Sequence, residues 1–430
     1  MKEVFAMLKE FSFSNFASYL DAATFSMETS NYVKDFKDLN TFEVKNLELM
    51  KSAFIFGANA SGKTNIIKAM EFMKSMVLLS FENERILKNT NKFLFSSESK
   101  NEPSKFEVVF IVIEEEEIMY RYGFELTNNN VSKEWLYRKV KKEICVFERD
   151  NQAIEKIKIY GNQFKSAETV IPFTRDNALF ISTAHKFNIS FASVISRWFE
   201  NIEIINFDTS SGETIKLLKT EEAKYKPLIL NYLRQADFGI SDFLIESKDL
   251  EKDPNQETLS ILEAVWKNTY VNNGITPLKP IDLKTRHKVY NKEKEEYGEK
   301  YLSFTQYQSQ GTIKFFELIG PFINAILNKK IIFIDEIDSR LHCAIVRFLV
   351  GMFNSIDMNT ENAQLIATTH DVLLLEEDIR RDQIWFAQKN QYGESELFSL
   401  SDFTGIRKKD LLLKKYLMGQ FGAIPFIGRE

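Results

Sequence analysis

Residues 57–64 read Gly-Ala-Asn-Ala-Ser-Gly-Lys-Thr, and this stretch constrains the fold more tightly than any other. Two glycines five apart, then lysine and threonine, match the spacing G-x-x-x-x-G-K-[ST]. The glycines let successive backbone N–H groups turn inward, making an anion nest at a helix N-terminus. Lys63 then reaches the β- and γ-phosphates of a nucleoside triphosphate, and the Thr64 hydroxyl can ligate Mg²⁺. Gly57, Asn59, Ala60, Ser61, Gly62 and Asn65 complete the expected ATP cradle. The flanks agree. "SAFIFG" (52–57) is a continuous apolar run ending at glycine, as a buried strand entering a turn should be. From Lys63 onward, Ile66, Ile67, Met70, Met73 and Val77 follow helical spacing.

The complement of a phosphate loop is an acidic strand end, and "IIFIDEID" (331–338) supplies one. A buried parallel strand delivers its C-terminal residues to the ligand edge of an open α/β sheet. Asp335 is expected to hold Mg²⁺, and Glu336 to accept a proton from an attacking water. "IATTHD" (366–371) sets His370 just after a second apolar strand, in a chain with only 4 histidines. His185, His287 and His342 have no metal-ligand spacing and read as ordinary surface or core residues. In "SQGTIKFFELI" (309–319), Ser309 and Gly311 open a helix, whose free N–H groups and dipole favour negative charge. Ser309 also suits a plain N-cap.

Around these motifs the chain reads as alternating strands and helices. Short alternating apolar runs over 4–27 are strands, and 106–126 is a hairpin with a solvated acidic tip at Glu114–Glu117. More β follows to about residue 160; from 186 to 300 the pattern turns to helical stretches and charged linkers, with 284–300 exposed. A helix over 312–328 carries a kink at Pro321. Strands at 331–335, 363–368, 383–388 and 396–401 alternate with helical segments near 341–355 and 371–380. The expected fold is α/β: a mixed β-sheet with flanking helices and a mainly helical insertion. Its parts are 1–190, 191–300 and 301–430, the middle one being the expected region of partner specificity.

A formal net charge of −5 leaves no global nucleic-acid footprint. The basic runs 138–142 and 407–415 read as solvated faces. Cys145 and Cys343 cannot make a disulfide framework. No secretory leader or run of 18 apolar residues is present, so a cytoplasmic protein with no membrane contact is expected.

The order of these motifs carries a family resemblance. The stretch between Lys63 and Asp335 is far longer than in nucleotide kinases, GTPases or AAA+ motor modules. It resembles the ABC-type P-loop ATPase head, in which a long insertion splits the nucleotide-binding fold. "SQGTIKFFELI" resembles the ABC signature, His370 the switch histidine that meets the γ-phosphate, and Asp338 the loop that crosses the dimer interface. Over residues 1–190 and about 301–430 the chain resembles the SMC/RecF-like ABC-type ATPases of bacterial anti-phage and abortive-infection systems, the AbiLi/RloA-like group. "LKEFSFSNFASYLDAATFSM" (8–27) resembles that group's opening strand pair, which implies Asn15 and Phe16 near the nucleotide base. "THDVLLLEEDIRRDQIWFAQK" (369–389) and "KYLMGQFGAIPFI" (415–427) resemble its C-terminal stretches. The glutamine loop of the superfamily is expected near 177–188, which contains no glutamine.

The resemblance implies two heads sandwiching two ATP molecules. Each site would combine Lys63, Thr64, Asp335, Glu336 and His370 of one copy with Ser309 and Gly311 of the other. It further implies a homodimer or higher homo-oligomer and a separately encoded effector, such as a TOPRIM-type nuclease or a toxin. The chain itself leaves little room for an appended TOPRIM domain, and a DNA state or phage protein would be the trigger. The alternatives are a DNA-binding repair or maintenance ATPase of RecF or SMC type, and an ATP-dependent scaffold with little turnover. The first would call for long heptads or a strongly basic face, and the second has no use for Glu336.

Overall fold

The computed structural model describes residues 5–113, 116–127, 130–206, 212–236, 238–247, 281–406 and 411–425. Part of the expected acidic tip, the centre of the insertion, residues 407–410 of the basic run and residues 426–427 lie outside them. The chain divides into two compact units, Met1–Thr209 with Asn324–Glu430, and Ser210–Ile323.

The first unit is built on two large sheets. Seven described strands form an antiparallel one: β1 (Phe5–Ser14), β2 (Ala23–Ser26), β6 (Ser104–Ile113), β7 (Glu117–Leu126), β8 (Val131–Lys139), β9 (Glu143–Asp150) and β10 (Ile157–Ile159), in the order β10-β9-β8-β7-β6-β1-β2. The second contains β5 (Ser52–Phe56), β11 (Ile202–Ile205), β15 (Ile331–Ile334), β16 (Gln364–Thr368), β17 (Ile384–Lys389) and β18 (Ser395–Ser399), ordered β11-β15-β16-β5-β17-β18. All its pairings are parallel except β17 with β18. Every residue of β5, β15 and β16 is buried, as expected of strands covered on both faces. A small hairpin, β3 (Thr41–Val44) and β4 (Leu47–Met50), completes the unit's described strands.

Between the sheets lies helix α1 (Lys63–Leu79), which buries Ile66, Ile67, Ala69, Met70, Met73, Met76 and Val77. Phe72 meets Phe16 and Phe106 of the antiparallel layer, at ring distances of 5.7 and 5.2 Å. One buried glutamine stitches the layers: Gln364 Nε2 donates to the Leu8 and Met50 carbonyls, and its Oε1 accepts from Leu8 N–H. Parallel order sends the C-terminal ends of β5, β11, β15, β16 and β17 to one edge, the place where open α/β sheets bind ligands.

The expected mixed α/β fold is the one the chain forms. Three local readings change. Residues 177–188, searched for a loop, instead hold α2 (Phe180–Lys186), largely buried. Its first amides, Phe180 N–H and Ile181 N–H, donate to the buried Glu134 carboxylate at 2.6 and 3.0 Å. Residues 190–205, expected within or beside the insertion, form α3 (Ser190–Glu200) and β11 in the first unit. Residues 371–380 supply only a 3₁₀ turn, Val372–Glu376, rather than a full helix.

The second unit keeps helical character in α4 (Gly212–Thr220) and α5 (Glu222–Gln235). The charged run 284–300 is no linker, however. It lies within an antiparallel sheet of β12 (Asp242–Ser247), β13 (Ile281–Tyr290) and β14 (Glu296–Ser303). Opposite charges meet across its strands, Arg286 with Glu299 at 3.1 Å and Lys288 with Glu296 at 2.7 Å. Such cross-strand pairs support a hairpin whose own sequence reads simply as charge. Helix α6 (Gln310–Leu327) follows with Pro321 inside it, and α7 (Cys343–Asn354) and α8 (Leu412–Leu417) belong to the first unit. No helix among the described residues is long and apolar enough to cross a membrane.

Candidate functional site

Strand β5 ends at Phe56 and the chain turns at Gly57, where φ is 153°. A Cβ there would lie 2.3 Å from the Ala387 carbonyl oxygen. At Gly62, φ is 110° and a Cβ would come within 2.5 Å of Ser395 Oγ. At Gly57 the clash is with fixed backbone and at Gly62 with serine side chains, so close approach adds to a backbone conformation that already favours glycine at both. Helix α1 begins at Lys63, which points its N-terminal amides at the loop. Asn59 through Asn65, Glu336, His370 and Lys389 line a cavity of about 380 Å³.

Lys63 is 5 % exposed and donates to the Gly57 and Ala58 carbonyls at 2.8 and 3.0 Å. Burial pulls its pKa below the ordinary lysine value, while Glu336, Asp335 and Asp338 oppose that pull. The lysine is therefore a desolvated cation facing three carboxylates.

Strand β15 delivers Asp335 to the same place. Its Oδ1 accepts from Thr64 Oγ1 at 3.1 Å and from Thr368 Oγ1 at 2.6 Å. Thr368 Oγ1 in turn accepts from Glu336 N–H at 2.8 Å, so one hydroxyl ties the two acidic residues to β16. Glu336 sits in the left-handed region at φ 51°, a strained setting of the kind found at functional sites. Its Oε1 lies 4.0 Å from His370 Nε2. Asp338 Oδ1 accepts from Thr369 Oγ1 at 2.8 Å and from His370 N–H at 3.0 Å, which fixes the turn carrying the histidine. Burial first, then Lys63, holds the His370 pKa below its ordinary value, so the imidazole is neutral at neutral pH.

Thr64 and Asp335 are the residues that would hold Mg²⁺ here, as hard oxygen donors. A threonine hydroxyl and a nearly buried carboxylate share one oxygen contact, and the glycine cradle beside them admits only backbone or ligand. Among the described residues no group of three or more His, Cys, Asp or Glu could hold a metal by itself.

The side chains of Asn15 and Phe16, expected near a base, are buried. Asn15 is 2 % exposed, donates to the Ser99 and Glu102 carbonyls, and accepts from Phe93 N–H. With its amide so engaged, it fastens the loop 93–102. Phe16 packs in the core against Phe13, Phe72 and Phe106. From the same Asn-Phe-x-Ser segment it is Ser18 that meets the loop: Asn65 Nδ2 and Ser395 Oγ donate to its hydroxyl at 2.8 and 2.7 Å. Tyr19 OH donates to the Gly62 carbonyl at 3.3 Å.

Thr368 and Thr369 also serve the site, and two threonines closing an apolar strand just before histidine are their signal in the sequence. The loop expected near 177–188 is not formed there, where α2 lies. Asp335 N–H donates to the Ile205 carbonyl at 2.9 Å, so Asn206 leaves the sheet beside the acidic end. Ser309 is exposed in the second unit, and its hydroxyl accepts from Thr312 N–H at 3.1 Å, capping α6; Gly311 is in that helix's first turn. The remaining histidines have ordinary partners: His185 meets Ser193, His287 meets Thr285 and Gln308, and His342 caps α7.

No curated protein matches this chain. Among solved structures it is similar to the SMC head domain from Thermotoga maritima, at 13 % identity and a TM-score of 0.40, covering 91 % of this chain and 98 % of that one. It is also similar to the recombination mediator protein RecF with ATPrS, at 14 % identity and a TM-score of 0.35, covering 92 % and 99 %. The family described as "AAA domain, putative AbiEii toxin, Type IV TA system" matches residues 52–376, well over half the chain. The phosphate loop, the acidic strand end and the histidine all fall inside that span, and the chain belongs to this family of AAA-domain proteins.

Proposed function

We propose that the chain is an ATP-hydrolysing subunit of ABC type that dimerises around ATP and regulates a separately encoded effector in anti-phage defence. One observation carries the ATPase part: Thr64 and Thr368 converge on Asp335 while Lys63, Glu336 and His370 line the same edge. The inward amides of 57–64 and Lys63 bind the β- and γ-phosphates. Mg²⁺, held by Thr64 and Asp335, neutralises phosphate charge when bound. Glu336 takes the proton of the attacking water, and neutral His370 orients the terminal phosphate by a hydrogen bond.

Ser309 and Gly311, at the N-terminus of α6, would complete the site of a second copy. Within its family we assign the chain to the AbiLi/RloA-like defence ATPases. The words toxin and TA system in the family's description support a two-component arrangement with a toxin or nuclease partner. The insertion is the proposed partner-specific part.

ATP binding and turnover by Glu336→Gln and Ser309→Ala test the reading. Both variants should bind ATP as wild type does, and both should lose turnover by about 100-fold or more, the scale of a missing base or charge-stabilising group. Full turnover by Glu336→Gln would remove the assigned base.

A further inference from the structure

Lys389 is a lysine the mechanism above does not use. It ends β17, which runs parallel to β5 with Phe386 opposite Phe56. One residue on, the Ala387 carbonyl abuts Gly57. Across the hairpin Lys389 pairs with Ser395, the residue that abuts Gly62. One loop glycine therefore packs against Lys389's own strand and the other against the strand paired with it, so its backbone cannot drift from the phosphate loop. The adjoining turn is closed by Asn390, whose Oδ1 accepts from Tyr392 N–H at 2.9 Å and Glu394 N–H at 3.0 Å.

The Lys389 side chain is exposed, and its ammonium has no hydrogen-bond or ion-pair partner among the described residues. It lines the cavity of about 380 Å³ that holds the phosphate loop, and also an adjoining one of about 750 Å³. The residues common to both are Asn59, Ala60, Ser61, His370 and Lys389, whereas Lys63, Thr64 and Asn65 line only the first. Lys389 thus stands with His370 where the two cavities meet. A triphosphate anchored by Lys63 and Thr64, with its terminal phosphate toward His370, would bring that phosphate within the cavity that Lys389 lines. An ammonium on a flexible stem suits a phosphate as a point charge.

We propose that Lys389 is a second cation for the terminal phosphate of a bound nucleoside triphosphate and sets the preference for triphosphate over diphosphate. This rests on the ATP-site reading above. The test is equilibrium titration of wild type, Lys389→Met, Lys389→Arg and Lys63→Ala with ADP and with a slowly hydrolysed ATP analogue, both with Mg²⁺. Thermal melts without nucleotide check the fold of each variant.

Lys389→Met should weaken the ATP analogue about tenfold, the scale of one charge-assisted hydrogen bond, and leave ADP within about twofold. Lys389→Arg should restore the analogue's affinity, and Lys63→Ala should weaken both nucleotides. If Lys389→Met binds both as wild type does, or loses both equally, the role of Lys389 is overturned while the ATP site stands. If wild type binds neither nucleotide, or Lys63→Ala changes nothing, the ATP-site reading falls and the Lys389 proposal with it.

Discussion

Thr368 holds more of the site together than its place in the sequence suggests. Its hydroxyl donates to Asp335 and accepts from Glu336 N–H, both in buried or half-buried surroundings. Thr368→Val keeps the shape and removes both bonds, so it should destabilise the fold by about 1–3 kcal/mol. Urea unfolding measures the loss, and an unchanged midpoint would contradict it. His370 gives a pH test. Its pKa is depressed by burial and Lys63, so the unfolded chain binds more protons across the window below the ordinary histidine value of about 6.5. Across that window stability should rise with pH, and the NMR titration midpoint of His370 should fall below about 6.5. A midpoint at or above that value would contradict the burial argument. The motif residues at this scale were legible because the chemistry demands fixed spacing. The burial of Asn15 and Phe16 was not legible, because a segment can lie beside the phosphate loop while its side chains face the core.

At the scale of elements, the C-terminal helix is tied to the strands that carry the loop. Tyr416 stacks on Phe386 of β17 at 5.4 Å and 14°, lies 6.4 Å from Phe56 of β5, and donates to the Ala423 carbonyl at 3.0 Å. Ala423 N–H is accepted by Gln388 at 2.9 Å. Tyr416→Ala should cost about 3 kcal/mol, as for other large-to-small aromatic changes in a core, and Tyr416→Phe about 1 kcal/mol. Chemical denaturation separates the two, and equal effects would deny the packing role. Strands with unbroken apolar runs, such as β5 and β15, were legible because burial on both faces leaves a local signature. The hairpin of β13 and β14 was not, because its support comes from charges on opposite strands. Helix α2 was hidden for a similar reason: the group that satisfies its first amides is Glu134, far away in sequence.

At the scale of the molecule, the sequence revealed a split nucleotide fold but placed the insertion too early. Residues 190–205 return to the first unit as α3 and β11, since β11 is needed to flank the acidic strand. The insertion proper is Ser210–Ile323, and it carries Ser309 and Gly311. If those residues serve the site of a second copy, ATP must join two chains. The most direct test is the mass of Glu336→Gln by light scattering, with and without ATP and Mg²⁺. The account expects ATP to convert the variant to a dimer or larger homo-oligomer, and Ser309→Ala added to it to prevent that conversion. A mass indifferent to ATP, in a protein shown to bind it, would contradict the shared site.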